Sequence, residues 1–278
     1  MKQPLINWKA LMELSHPPRP PKGEERKTSI WDDSADMYDQ MAKMEAEYTE
    51  EILSHLPISP EDSVLDIGCG PGRVAVPLAR RADRVTAIDS SEPMLAHCRE
   101  NAGKAGVTNL EIRYLDWMEA VPGENLEKHD IVVASRSVGM YDLKKLSSFA
   151  KKYAVTMCWA NGPSIPELLD RLFEGTSDRP KMMPDDRRVS SNIQYNIAYD
   201  LGYEPNILVL PDGFRKTFST REEAYTQLSR LRSLPTEKVD RFRENVDQFL
   251  TETPDGYRFE MKTRTYLMWW DVRSNLEG

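Results

Sequence analysis

The sequence predicts an α/β protein built on a parallel sheet, and three observations predict it. Four short apolar or β-branched runs, at residues 64–67, 84–88, 110–115 and 131–134, follow one another at intervals long enough to hold a helix. The segments between them carry helix signals, and this alternation builds βαβ units. The first run ends in a glycine-rich turn, VLDIGCGPGRVAVPLAR (64–80), which leads from strand to helix.

Each element has its own warrant, taken in chain order. Residues 1–29 include PPRPPKGEERK (17–27), which cannot be a continuous helix and reads as an arm or a loosely packed cap. Met37, Met41, Met44, Tyr48, Ile52 and Leu56 recur every three or four residues, predicting one helix from Asp36 to near Pro57. Residues 1–56 are therefore assigned to an arm and cap helix, and 57–278 to the main domain. Residues 73–80 carry a helix in which Pro77 is tolerable only in the first turn. The next helix has Ser90 or Ser91 as its N-cap, Pro93 early, and glycines at its end.

A helix after Asp142 runs to about Lys152, followed by a strand at 153–159. An interruption follows, NGPSIPELLDRLFEGTSDRPKMMPDDRR, and then Val189, Ile193, Ile197 and Leu201 lie four apart, so a helical insertion is placed around 162–202. A strand is expected at 206–210, extra helices at 220–251, and a long alternating strand from Tyr257 onward. SNLEG (274–278) shows no pattern.

Composition restricts the function classes. Among 278 residues 29% are charged and the formal net charge is -8, which leaves no general attraction for a polyanion, so nucleic acid is disfavoured as a substrate. The basic stretches RPPKGEERK and RPKMMPDDRR are interspersed with acids and prolines and read as solvated loops. No apolar run is long enough to span a membrane, and the N-terminus lacks the pattern of a signal peptide. Cys69, Cys98 and Cys158 form no CxxC pair; they read as reduced thiols in a cytoplasmic protein, with no metal site expected.

The glycine turn selects its ligand by charge. A phosphate-binding loop needs GxxxxGK[ST], whereas the residues from Gly68 read GCGPGR. A dinucleotide site prefers a third glycine where Arg73 stands, and Asp66 would repel a pyrophosphate. A nucleoside ligand that carries positive charge and no phosphate suits the pattern, and S-adenosylmethionine is such a ligand. Alternate glycines let the backbone approach its methionyl part, and Asp66 can balance the ammonium. Asp89 ends the second strand about 20 residues on, where a carboxylate accepts from ribose hydroxyls. Asp116, ending the third strand, is positioned for the adenine amino group.

VLDIGCGPG, VTAIDSSEPML and IRYLDWME, taken together, resemble the successive motifs of class I S-adenosylmethionine-dependent methyltransferases, over roughly Trp31 to Tyr141. The resemblance implies a Rossmann-like seven-stranded, mostly parallel sheet with an antiparallel last strand, N-terminal helical cap and helical insertion. It assigns Asp66, Gly68, Cys69, Gly70 and Gly72 to the methionyl loop, Asp89 to the ribose, and Ser90, Met94, Asp116 and Trp117 to the adenine. TSIWDDSADMYDQ is similar to the family's segment before the sheet, making Trp31 and Tyr38 candidates to close over the methionyl end.

The acceptor side should follow the fourth strand, in ASRSVGMYDL, where Ser135, Arg136 and Tyr141 are candidate pocket residues. Arg136 is read as a receptor for an anionic group of the substrate. This segment lacks the Asn or Asp followed by Pro-Pro and an aromatic that marks transfer to amide or adenine nitrogens. It also lacks a strand-end cysteine for attack on pyrimidine carbon. Of the histidines, His129 lies at the wrong end of the sheet, and His16, His55 and His97 have no recognisable partners. No catalytic base is assigned. The expectation is a small-molecule methyltransferase that leaves S-adenosylhomocysteine as product. The competitors are a protein or RNA methyltransferase, a cofactor-binding protein without transferase activity, and a nicotinamide enzyme.

Overall fold

The computed structural model describes residues 6–14, 30–160, 162–176 and 190–274. The Pro-rich stretch 17–27, His16, Val189, the basic stretch 179–188 and the last four residues lie outside them. Three helices and a fourth precede the sheet: α1 (Trp8–Leu14), α2 (Ile30–Asp33), α3 (Ala35–Met44) and α4 (Ala46–Leu53). The single helix expected from Asp36 is therefore two. The break falls at Glu45, whose side chain is turned inward to two arginines, although Met41, Met44, Tyr48 and Ile52 keep the expected buried stripe.

The first half of the sheet follows the predicted alternation: β1 (Ser63–Ile67), α5 (Ala75–Leu78), β2 (Arg84–Asp89), α6 (Glu92–Ala105), β3 (Leu110–Tyr114) and β4 (His129–Ser135). α5 is shorter than the predicted 73–80 because the glycine turn extends to Val74. α6 begins on Ser91, whose side chain accepts from the Met94 N–H, and ends on Gly106 in the left-handed conformation. α7 (Leu143–Phe149) stops at Ala150, where β5 (Ala150–Trp159) already starts.

The second half departs further from expectation. α8 (Ile165–Leu172) opens with a capping box in which Ser164 and Glu167 satisfy each other's backbone N–H groups, and it lies within the helical insertion placed around 162–202. α9 (Ser191–Asp200) is the helix predicted before Gly202. β6 (Asn206–Phe218) runs eight residues beyond the predicted strand, through Pro211 and Gly213, which a strand at the end of a sheet tolerates. α10 (Arg221–Leu228) and α11 (Val239–Asp247) are the extra helices. β7 (Leu250–Thr253) then forms a hairpin with β8 (Gly256–Asp271).

Among the described residues the sheet thus has eight strands rather than seven, ordered β3-β2-β1-β4-β5-β8-β6 with β7 beside the start of β8. β1 to β5 are mutually parallel, and β8 is antiparallel to β5, as the resemblance implies. One face is covered by α4, α5 and α6 over Val64, Val85, Val133 and Leu267. The other is covered by α7 and α9 over Leu65, Val132, Met268 and Trp270. A third cluster joins α3, α8, α10 and α11 to the long β6/β8 ribbon through Phe214, Phe259 and Met261. Among the described residues no helix is long and apolar enough to cross a membrane.

Phe149 is fully buried and its ring lies 5.0 Å from that of Trp117, so α7 is fixed to the layer that floors one end of the site. Phe149→Ala should cost about 3–5 kcal/mol in urea unfolding. A loss under ~1 kcal/mol would contradict this packing.

Candidate functional site

The carboxyl ends of the parallel strands open into a cavity of about 470 Å³. Its geometry begins with the glycine turn. The N–H groups of Gly68 and Cys69 both donate to the Ile88 carbonyl, at 2.8 and 3.0 Å, and the Gly70 N–H donates to Asp89 Oδ2 at 2.9 Å. Gly68, Gly70 and Gly72 all have positive φ. A Cβ on Gly68 would lie 2.6 Å from the Ser137 Cβ, and one on Gly72 2.8 Å from the Cys98 Sγ, so both positions require glycine. A Cβ on Gly70 would meet only Met94 Sδ at 3.9 Å; its bare face borders the cavity.

Asp66 lies behind this turn, 1% exposed, with Oδ2 lacking a hydrogen-bond partner among the described residues. Burial pushes its carboxyl up to about 7, against the pull of Arg73 and with a further push from Asp89. Burial also raises the Asp89 carboxyl, opposed by backbone N–H groups from Gly70 and Ser91. Asp116 caps a turn of 3-10 helix by accepting from the Met118 N–H at 2.8 Å, and Trp117 beside it packs on Phe149 with Lys145 Nζ 4.5 Å from its ring centroid.

Of the sequence-predicted residues, Gly68, Cys69, Gly70, Asp89, Ser90, Met94, Asp116, Trp117 and Ser135 border the cavity, with Trp31, Tyr38, Arg136 and Tyr141. Asp66 and Gly72 stand behind the wall. Trp31 and Tyr38 meet edge to face at 5.5 Å on the cap side. That cap is tied to α6 by three carboxylates: Asp32 accepts from Ser91 Oγ at 2.6 Å, Asp36 pairs with His97 Nε2 at 2.8 Å, and Asp39 accepts from Asn101 Nδ2 at 2.7 Å. His97 therefore has partners the sequence did not reveal. His129, at the opposite end of the sheet, is buried with Nε2 2.9 Å from Thr86 Oγ1.

Arg136, read from the sequence as a receptor for an anionic group of the substrate, is engaged by two carboxylates of the protein. Its Nη1 donates to Glu45 Oε2 at 2.6 Å and its Nη2 to Asp212 Oδ2 at 2.5 Å, with both carboxylates buried. Arg73, the residue that displaces the third dinucleotide glycine, donates to Thr49 Oγ1 at 3.0 Å and Ser135 Oγ at 2.5 Å and lies 3.6 Å from Glu45. Glu45 was also missed, although its place four residues after Met41 and three before Tyr48 on the apolar helix face was a local signal. Asp212 carried no signal, because its partner is 76 residues away. Sequence reasoning also missed Trp159, Ile165, Ile193, Gln194 and Tyr266, which border the cavity from β5, α8, α9 and β8.

Residues 64–156 match the model of a methyltransferase domain. An uncharacterized protein of Haemophilus influenzae is 34% identical over 127 residues, 44% of this chain and 47% of that one. The 23S rRNA (uracil(1939)-C(5))-methyltransferase RlmD of Alcanivorax borkumensis is 38% identical over 72 residues, 26% of this chain and 16% of that one. The chain thus spans less than half the length of these curated relatives. A solved structure described by the conversion of a disulfide bond into a thioacetal group during echinomycin biosynthesis aligns with TM-score 0.50 at 16% identity, over 85% of each chain, a likeness of fold.

The buried acid in the matched segment makes stability depend on pH. Folded Asp66 keeps its proton to about pH 7, whereas an aspartate in the unfolded chain loses it near 4. Its contribution is therefore full below ~pH 4 and lost as pH rises through about 7. Unfolding free energy of the wild type, taken relative to Asp66→Asn, should fall by about 2–4 kcal/mol from pH 4 to 8; a constant difference would contradict the assignment. Asp66 and the three glycines stand at the head of the segment, residues 64–156, that matches the methyltransferase-domain model.

Proposed function

We infer that this protein transfers a methyl group from S-adenosylmethionine to a small-molecule acceptor by in-line displacement. The observation that carries the reading is the cavity itself. It runs from the glycine turn at β1 and β2 to a chamber above β4, β5 and β8, within the size range of small-molecule sites. α8, α9 and Met12 of α1 contribute to the lining of the chamber.

The residues present fit the cofactor. Asp66 would act on a cationic group from behind the turn, where its Oδ2 has no hydrogen-bond partner among the described residues, and Gly70 leaves the space a side chain would fill. Asp66, Gly68, Cys69, Gly70 and Gly72 would hold the methionyl part, Asp89 the ribose, and Ser90, Met94, Asp116 and Trp117 the adenine. Trp31 and Tyr38 would close over the methionyl end, with Ser135 below. When bound, S-adenosylmethionine supplies a methyl already activated by its sulfonium. The protein's own task is to align the acceptor and exclude water, which the cap, α8 and α9 serve. No side chain is assigned as a base.

Methyl-labelled S-adenosylmethionine incubated with the protein and a fractionated cell extract should place label in the small-molecule pool. Label confined to macromolecules would replace this reading with the protein or RNA methyltransferase, and no transfer despite cofactor binding would leave a cofactor-binding protein. Asp89→Ala should weaken S-adenosylhomocysteine binding by about 1.5–3 kcal/mol, through the loss of hydrogen bonds to a charged group. Wild-type affinity in a calorimetric titration would remove Asp89 from the site.

A further inference from the structure

The acceptor chamber holds charges that cancel. Arg73 and Arg136 are the cationic side chains bordering the cavity among the described residues, and Glu45 is the carboxylate bordering its acceptor end. Glu45 Oε2 lies 2.6 Å from Arg136 and 3.6 Å from Arg73, and fully buried Asp212 takes the other terminal nitrogen of Arg136. Two guanidiniums and two carboxylates sum to zero. The arrangement is held firmly: Arg136 has φ +51°, a left-handed conformation unusual for a side-chain-bearing residue, and its Cζ lies 5.1 Å from the Trp159 ring centroid.

Among the described residues an anion entering this chamber would shed its hydration and meet no net positive charge, which is costly in a low-dielectric site. The buried Arg136 Nε is a guanidinium N–H there without a hydrogen-bond partner among the described residues. A cation would find no free carboxylate at the acceptor end among the described residues. The remaining walls are aromatic and aliphatic: Trp159, Tyr266, Ile165, Ile193 and Met41. Gln194, 5% exposed, adds a neutral polar group whose Oε1 has no partner among the described residues.

We propose that the acceptor is an uncharged, largely aromatic small molecule with a neutral polar handle, and that Glu45 and Asp212 determine this specificity by cancelling the charge of Arg136. The proposal rests on the methyl-transfer reading above. It assigns Arg136 the opposite role from an anion receptor: the guanidinium is a structural tie between the α3–α4 junction and β6, and its charge is spent internally.

The test uses two probes with the same ring frame, 2-naphthol and 6-hydroxy-2-naphthoate, titrated calorimetrically into the protein saturated with S-adenosylhomocysteine. Saturation is itself measured first, so a protein that does not bind S-adenosylhomocysteine sinks the methyl-transfer reading and not the electrostatic one. The wild type should bind the neutral probe at least tenfold more tightly than the carboxylate. Asp212→Asn, which leaves Arg136 with one carboxylate, should improve binding of the carboxylate probe at least tenfold relative to the neutral one. Circular dichroism checks that the variant folds; if it does not, Glu45→Gln makes the same comparison. Equal or tighter wild-type binding of the carboxylate, binding of neither probe, or an unchanged ratio in the folded variant would overturn the proposal.

Discussion

Everything at the carboxyl edge of this sheet depends on how β1 is tied to β2. Two N–H groups of the glycine turn converge on the Ile88 carbonyl, and a third reaches the Asp89 carboxylate. A hydrogen bond to a charged group contributes about 1.5–3 kcal/mol. Here it adds to the bonds on the Ile88 carbonyl and to that of Asn101 Nδ2 on the Pro71 carbonyl in fixing a turn with three positive-φ glycines. The turn in turn sets the floor of the cavity. Because the chain passes so close to Ser137 and Cys98, it seals Asp66 behind it, and that burial shifts the acid.

The second constraint is electrostatic and connects parts far apart in sequence. Arg136 at the end of β4 joins Glu45, at the break between α3 and α4, to Asp212 in β6, while Arg73 of the glycine turn approaches the same Glu45. Buried ion pairs of this kind add little net stability, since desolvation offsets attraction, but removing one partner leaves an uncompensated charge. Their effect is to fix geometry. The cap helices, the glycine turn and the outer ribbon share one set of contacts at the rim of the acceptor chamber.

Most of the fold on the glycine-turn side was legible in the sequence, since its signals are local. The strands that carry or precede Asp66, Asp89 and Asp116, the glycine turn, and Ser91 with Gly106 around α6 all follow from neighbouring residues. The acceptor half was less legible. Asp212 is an ordinary strand residue until Arg136 arrives from 76 positions away, and His97 shows its carboxylate partners only once α3 packs on α6. Some misses had local signals: Ser164 and Glu167 form a capping pattern three apart, and Pro254-Asp255, followed by Gly256 at the start of β8, is the hairpin turn that separates β7 from β8. Pro211 and Gly213 argued for ending β6 early, and pairing with thirteen residues of β8 overrode them.

The central claim is that an acidic glycine turn, closed by Asp89, accepts a cationic nucleoside and rejects a phosphate-bearing one. Calorimetric titration of the purified protein with S-adenosylmethionine and, separately, with NAD tests it most directly. The account predicts saturable binding of S-adenosylmethionine and no measurable heat from NAD. Tighter binding of NAD would contradict it.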